Sequence, residues 1–232
     1  MTDLYFVLVE PAVPENIGAA ARAIKTMGFK YLRLVNPSNH LADKAKWLAH
    51  ASNEILEQAQ LYSTLEEAIS DLDFVIGTTA KQRSVAGEYI SSRNLDQFMS
   101  DKEAAIQKTG IVFGREESGL SNEELNICDI ASYVPIDSPY PSINLAQSVM
   151  IYAYALSSVS EREMTARETK APEQSYRKLS SRIQSILISI GIEKGTMLSG
   201  RIMERISMLT EGDIRLLHSI SSKLLEKESF KE

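Results

Sequence analysis

Residues 4–35 read LYFVLVEPAVPENIGAAARAIKTMGFKYLRLV, and this stretch decides the fold class. LYFVLVE (4–10) is an almost unbroken apolar run, and YLRLV (31–35) is a second. Runs of that length with little alternation suit parallel strands covered on both faces. Between them Ile17, Ala20, Ala21, Ile24 and Met27 recur at helical spacing, and Gly28 supplies a stop. Further runs at DFVIGT (73–78), GIVFG (110–114) and SYVPI (132–136) read as strands bounded by Gly, Pro, Asn or Asp. Residues 41–59 and 64–71 read as helices, the latter opened by a Thr64–Glu67 capping box. Strands alternating with helices predict an α/β fold, a mostly parallel sheet with helices on both faces.

Downstream the pattern changes to helix alone. NLAQSVMIYAYALSS (144–158) carries Leu145, Val149, Tyr152 and Leu156 on one stripe, with Met150, Ala153 and Tyr154 off it. A helix apolar on most sides must be covered on most sides, by the core or by another subunit. SEREMTARETKAPEQ (160–174) is polar and reads as a linker. Tyr176–Ile190, Ser199–Leu209 and Glu211–Glu226 then read as amphipathic helices with too thin a core to stand alone. The expected division is a domain over 1–160, a linker over 161–175 and a small helical C-terminal extension over 176–232.

With 44% hydrophobic and 24% charged residues, the 232-residue chain has globular composition. Its net charge of −6 argues against the whole molecule acting as an electrostatic binder of nucleic acid. That charge is uneven. Residues 1–160 hold 12 Lys/Arg against 20 Asp/Glu, a net of −8, and residues 161–232 hold 13 against 11, a net of +2. The excess gathers at Arg162, Arg167, Lys170, Arg177, Lys178 and Arg182, which marks a basic tail with a possible partner of its own. One cysteine, Cys128, excludes an intramolecular disulfide, and His40, His50 and His218 have no paired spacing, so no metal is expected. The first residues carry no basic leader, and no run approaches the roughly 20 apolar residues of a membrane span. A soluble cytoplasmic protein with no membrane contact is the expectation.

Four segments hold residues that packing alone does not demand. Asn16 and Arg22 lie on the first helix, with Arg22 nearly opposite Ile24 of its apolar stripe, so Arg22 faces outward. GTTAKQRS (77–84) follows a strand, and its Lys81 and Arg83 could reach a phosphate at a strand's carboxyl end. VFGREESGLSNEEL (112–125) sets Gly114, Arg115 and Glu116 directly after a buried strand, and Ser121 with Glu124 forms a capping box. VPIDSPYPSINLAQ (134–147) is a loop stiffened by Pro135, Pro139 and Pro141, with Ser142 and Asn144 at the mouth of the apolar helix. Taken singly, each has a plainer reading: a solvated arginine, an exposed loop, a surface carboxylate or a helix cap. GxGxxG, P-loop, GxSxG and HExxH signatures are all missing, so a Rossmann dinucleotide or methyltransferase site lacks its glycines.

Together NIGAAAR (16–22), VFGREESGL (112–120) and YPSINLAQSV (140–149) resemble the three motifs of the SpoU-type branch of the SPOUT RNA 2′-O-ribose methyltransferases, in order and spacing. The resemblance covers residues 3–158, and the motif text with the helical C-terminus is most similar to the TrmJ and LasT groups of tRNA/rRNA methyltransferases. It implies a SPOUT-like fold with a C-terminal trefoil knot, although knots are essentially absent from other proteins. It implies S-adenosylmethionine held largely by backbone at Thr78, Thr79, Ala80, Gly114, Val134, Ile136, Pro141, Ser142, Ile143 and Leu145. Arg22 is implied as the principal catalytic residue, with Asn16, Glu116, Ser142 and Asn144 holding ribose, arginine or cofactor. RNA contacts are expected from Lys81, Arg83, Arg115, Arg177, Lys178 and Arg182. A homodimer completing the site, and tRNA or rRNA as partner, complete the implication. Position 32 of the tRNA anticodon loop is one target it suggests. An rRNA target, or a knotted RNA-binding protein without catalysis, are the other readings.

Overall fold

The computed structural model describes residues 3–80, 89–102, 105–138, 142–158 and 176–228. β1 (Asp3–Val9), α1 (Pro14–Thr26) and β2 (Tyr31–Val35) form the first crossover unit, as the apolar runs predict. There follow α2 (Asp43–Ala49), a single 3₁₀ turn (His50–Ser52), α3 (Asn53–Glu57), β3 (Gln60–Tyr62), α4 (Leu65–Ile69) and β4 (Phe74–Thr79). β5 (Tyr89–Ser91), α5 (Leu95–Ser100), β6 (Lys108–Phe113), α6 (Asn122–Asn126), β7 (Ile130–Tyr133) and α7 (Leu145–Ala155) complete the α/β part. Beyond them the described residues hold α8 (Tyr176–Ser189), α9 (Met197–Ser207) and α10 (Glu211–Glu228).

Among the described residues, seven strands lie in one parallel sheet, ordered β3-β2-β1-β6-β4-β7-β5. Alternate residues of β1 divide the core: Leu4, Phe6 and Leu8 face α1, α2, α5 and α7, and Tyr5, Val7 and Val9 face α4 and α6. Helices therefore cover both faces. β6, β4 and β7 are neighbours in the sheet, so the loops leaving their carboxyl ends stand side by side.

One helix expectation is corrected. Residues 41–59 are not continuous: His50 takes a left-handed backbone (φ 54°), which ends α2 and turns the chain into α3. α2 packs tightly on α1, because a Cβ at Gly18 would stand 2.0 Å from the Ala45 carbonyl oxygen. Only glycine permits that approach.

The C-terminal helices dock on the amino-terminal ends of the strands. Tyr176 is buried edge-on against Phe74 (5.0 Å between ring centres); its OH donates to Asp129 Oδ1 (3.1 Å) and its amide to Ala105 O (3.0 Å). Lys102, 1% exposed, donates to Leu209 O and lies 4.6 Å from the centre of the Phe98 ring. Burial lowers its pKa to about 8. Of the loops that the resemblance implies are knotted, around residues 77–83, 112–117 and 134–145, residues 81–83 and 139–141 lie outside the described residues, as does the whole of the expected linker, 161–175.

Candidate active site

The carboxyl ends of β4, β6 and β7 open into a cavity of about 250 Å³. Its walls include Thr78, Thr79, Ala80, Gly114, Val134, Ile136, Ser142, Ile143 and Leu145, nine of the ten positions expected to hold a cofactor. The tenth, Pro141, lies outside the described residues. Thr78 ties two strand ends together by donating from Oγ1 to Val112 O at 2.9 Å. Gly114 has no room for a side chain: a Cβ would fall 2.1 Å from Gly119 C and from Leu120 N. The loop 114–120 thus folds back on its own strand end and leaves the cavity open beside it.

Three distant segments meet here through side chains. Asn144 Nδ2 donates to Asn16 Oδ1 at 2.8 Å, and Asn16 Nδ2 donates to Glu116 Oε1 at 3.0 Å. Asn144 Oδ1 meanwhile accepts from Ala146 N (2.9 Å) and Gln147 N (3.3 Å), capping α7. Glu116 accepts from Ala12 N (3.1 Å) and Val13 N (3.2 Å) as well. It thereby sets a negative charge at the start of α1, whose own cap residue, Val13, offers no side-chain acceptor. Burial would raise the pKa of Glu116, but the bonds from Asn16, Ala12 and Val13 outweigh it and the net shift is downward. Glu116 is consequently an ionised anchor whose oxygens are already engaged.

Arg115 turns inward. Its Nε donates to Glu10 Oε2 (2.7 Å), and its two terminal nitrogens grip Glu124 at 3.0 and 3.1 Å. Glu124 also closes the expected capping box with Ser121. The bonds to Glu10 and Glu124 fasten the 114–120 loop between β1 and α6, and both carboxylates raise the guanidinium's pKa.

Arg22 stands apart. It is exposed and lines a second, open cleft of about 420 Å³ with Lys25, Thr26, His50, Ala51 and Ser52, and its guanidinium has no hydrogen bond or ion pair among the described residues. Lys81 and Arg83 lie outside the described residues. Two of the tail cations are engaged within the fold. Arg177 donates to the carbonyls of Leu72 and Ser70, while Arg182 donates to Ser222 Oγ (2.8 Å) and meets His218 Nδ1 (3.1 Å). Lys178 is exposed. These tail positions sit on the docked helices, at the opposite ends of the strands from the cavity.

Tyr152, Ser148, Phe113 and Leu120 also line the cavity and were not singled out from the sequence. Tyr152 OH donates to Ser132 Oγ (3.1 Å), which donates to Ile90 O (2.8 Å), so the cavity floor is tied to the outermost strand. Its place on the apolar stripe of α7 disguised it as core. Among the described residues no group of His, Cys, Asp and Glu is arranged to hold a metal ion, and no helix is long and apolar enough to cross a membrane.

A parallel sheet with a cavity over three adjacent strand ends, lined by Thr78, Ala80, Gly114 and Ser142 beside Ile136, Ile143, Leu145 and Tyr152, has the architecture in which α/β proteins take small molecules at the carboxyl ends of their strands. The chain belongs to the SpoU rRNA Methylase family, which matches residues 3–154. The family described as tRNA/rRNA methyltransferase LasT, C-terminal domain, matches residues 173–228. The chain is 36% identical over 214 residues to a protein of Escherichia coli (strain K12) called uncharacterized tRNA/rRNA methyltransferase LasT, covering 92% of this chain and 93% of the relative. It is 38% identical over 148 residues to the tRNA (cytidine/uridine/adenosine-2′-O-)-methyltransferase TrmJ of Pseudomonas aeruginosa (strain UCBPP-PA14), covering 64% and 58%. Among solved structures, TrmJ from Z. mobilis ZM4 superposes with a TM-score of 0.64 at 27% identity, covering 95% of this chain and 98% of that one.

Proposed function

We propose that the protein transfers a methyl group from S-adenosylmethionine to a ribose 2′-oxygen of tRNA. The carrying observation is the hydrogen-bonded chain Glu116–Asn16–Asn144, which joins the three motif segments beside the strand-end cavity. The cavity suits that cofactor. Ile136, Ile143 and Leu145 offer apolar faces to a flat ring, the strand-end backbone of 78–80 and 134–136 offers polar edges, and Glu116 and Glu117 supply negative charge for a sulfonium. When bound, S-adenosylmethionine supplies an electrophilic methyl group. Ser142, at the cavity mouth, and Asn144, whose amide is held from both ends, are the side chains set to orient the reacting partners.

The ribose hydroxyl is a poor nucleophile at neutral pH and must be positioned and relieved of its proton. Glu116 is unsuited to take that proton, because its oxygens already accept from three donors. Arg22 is unsuited as a plain base, since a guanidinium does not deprotonate in proteins. Its role is to hold the ribose phosphate and support the negative charge that develops on the 2′-oxygen. Arg22 is not among the cavity residues, which favours a homodimer in which one protomer's Arg22 serves its partner's cavity. The name of the E. coli relative spans tRNA and rRNA, so both pools belong in the test.

Incubation with methyl-labelled S-adenosylmethionine and either bulk tRNA or rRNA, followed by nucleotide mapping, decides the matter. Ribose methylation in tRNA is expected, with position 32 examined first. Tight cofactor binding with no transfer to either pool would leave a knotted RNA-binding protein without catalysis.

A further inference from the structure

We infer that α2 and the turn that follows it form a docking ledge for single-stranded substrate RNA, on which Trp47 stacks against an unpaired base while Arg22 and Lys46 meet the neighbouring phosphates. The inference rests on the methyl-transfer reading and names a part of the substrate surface that the motifs do not contain.

Trp47 is the single tryptophan of the chain and is 77% exposed, an unusual position for the largest side chain. It lies on the outer face of α2, one helical turn before His50, which lines the Arg22 cleft. The Gly18–Ala45 contact presses α2 against α1, and the turn that follows α2 (His50, Ala51 and Ser52) lines the same cleft as Arg22. Arg22 and Lys25 on α1 and Lys44 and Lys46 on α2 are all exposed. Lys44 is paired with Glu15 at 3.0 Å, and Lys25 with Glu54. The side chain of Lys46, like that of Arg22, has no hydrogen bond or ion pair among the described residues.

A large exposed ring beside uncommitted cations is the chemistry that single-stranded RNA requires: a π-face for a splayed base and positive charge for the backbone. A second copy of this chain fits less well. Packing protein over the ledge would take the uncommitted Arg22 and Lys46 out of water, whereas a phosphate backbone pairs with both and leaves them partly solvated. His50 adds a further sign. Its left-handed backbone (φ 54°) is costly for a residue with a side chain, and that turn shapes the floor of the cleft.

Because Trp47 is the only tryptophan, its emission reads the ledge directly. Titrating the full-length protein with bulk tRNA should quench and shift that emission, and rising salt should reverse the change. Trp47→Ala should weaken tRNA binding about tenfold, the effect of losing one stacked base, while calorimetry with S-adenosylmethionine alone shows unchanged cofactor affinity. Trp47→Phe should recover most of the loss. Lys46→Glu should weaken binding and flatten its salt dependence. Unchanged emission with wild-type affinity in Trp47→Ala overturns the ledge. So does a shift of Trp47→Ala from dimer to monomer in sedimentation, which would assign the ring to a contact between copies. Quenching by tRNA without any methyl transfer would uphold the ledge and defeat the reaction reading instead.

Discussion

Asn16 and Glu116 are 100 residues apart in the chain and 3.0 Å apart in the fold, Nδ2 to Oε1. One side-chain hydrogen bond therefore links the first turn of α1 to the loop after β6. Asn144 extends the link to α7 through the other end of the same Asn16 side chain. Each asparagine is held at both its oxygen and its nitrogen, which fixes the orientation of the amide as well as its position.

Glu116→Gln tests that anchor. A neutral amide cannot accept from Ala12, Val13 and Asn16 with two oxygens, and it removes the charge at the start of α1. The expected outcome is a fall in kcat of about 10²-fold with a loss of roughly 1 kcal/mol in urea unfolding. Wild-type turnover in the variant would show that the carboxylate is surface charge.

Gly114→Ala should act on the cavity and spare the sheet. The added methyl group would meet the Gly119–Leu120 peptide at 2.1 Å, a backbone contact that cannot swing aside. The 114–120 loop must then move away from the end of β6 and take Glu116 with it. Loss of cofactor binding by calorimetry, with far-ultraviolet circular dichroism unchanged, is the expected pair of results. Normal cofactor affinity would mean that the loop has slack the geometry does not suggest.

Much of this was legible in the sequence, and the gaps have identifiable causes. The five long strands announce themselves because burial on both faces demands unbroken apolar runs, and the capping boxes at Thr64 and Ser121 form as their spacing predicts. β3 and β5 left no such trace. Each has three residues and sits at a sheet edge, where Gln60 and Leu61 are exposed and only Ile90 of β5 is buried. The break at His50 was invisible for another reason: neither glycine nor proline marks it, and tertiary packing imposes the left-handed turn. Nor can a count of cations reveal partners. Arg177 and Arg182 contribute to the basic tail in sequence yet spend their donors on carbonyls, a serine and a histidine of the fold. Arg33 is the extreme case, 2% exposed in β2, paired with Asp71 and packed over the Tyr5 ring at 4.2 Å.

Arg22→Ala should separate chemistry from cofactor binding. Arg22 is exposed and absent from the cavity wall, so its removal leaves the cofactor contacts and the α1 core face intact. Methyl transfer is expected to fall by at least about 10²-fold while affinity for S-adenosylmethionine alone stays within about twofold. Arg22→Lys should restore little, because a lysine does not reproduce a planar, bidentate grip on phosphate. Weak cofactor binding in Arg22→Ala would place the residue in the cavity of the assembled protein.

Asp129 sets a pH dependence in the docking of the C-terminal helices. Burial raises its pKa to about 6, although Val75 N (2.8 Å) and Tyr176 OH (3.1 Å) donate to it and favour the charged form. An aspartate in the unfolded chain titrates near 4, so between about pH 4 and 6 the folded state binds the proton more tightly. Stability from this group is therefore greatest at the acid side of that window, falls as pH rises, and is lowest above about 6. The residue is half-buried, which limits the effect to on the order of 1 kcal/mol. Asp129→Asn keeps the shape and removes the titration. Urea unfolding across pH 4.5 to 7.5 should show a slope in the wild type that this variant lacks. Parallel profiles for the two proteins would mean that Asp129 titrates as an ordinary exposed aspartate, and that Tyr176 is held by its ring contact with Phe74 and its amide bond to Ala105 O without help from the Asp129 charge.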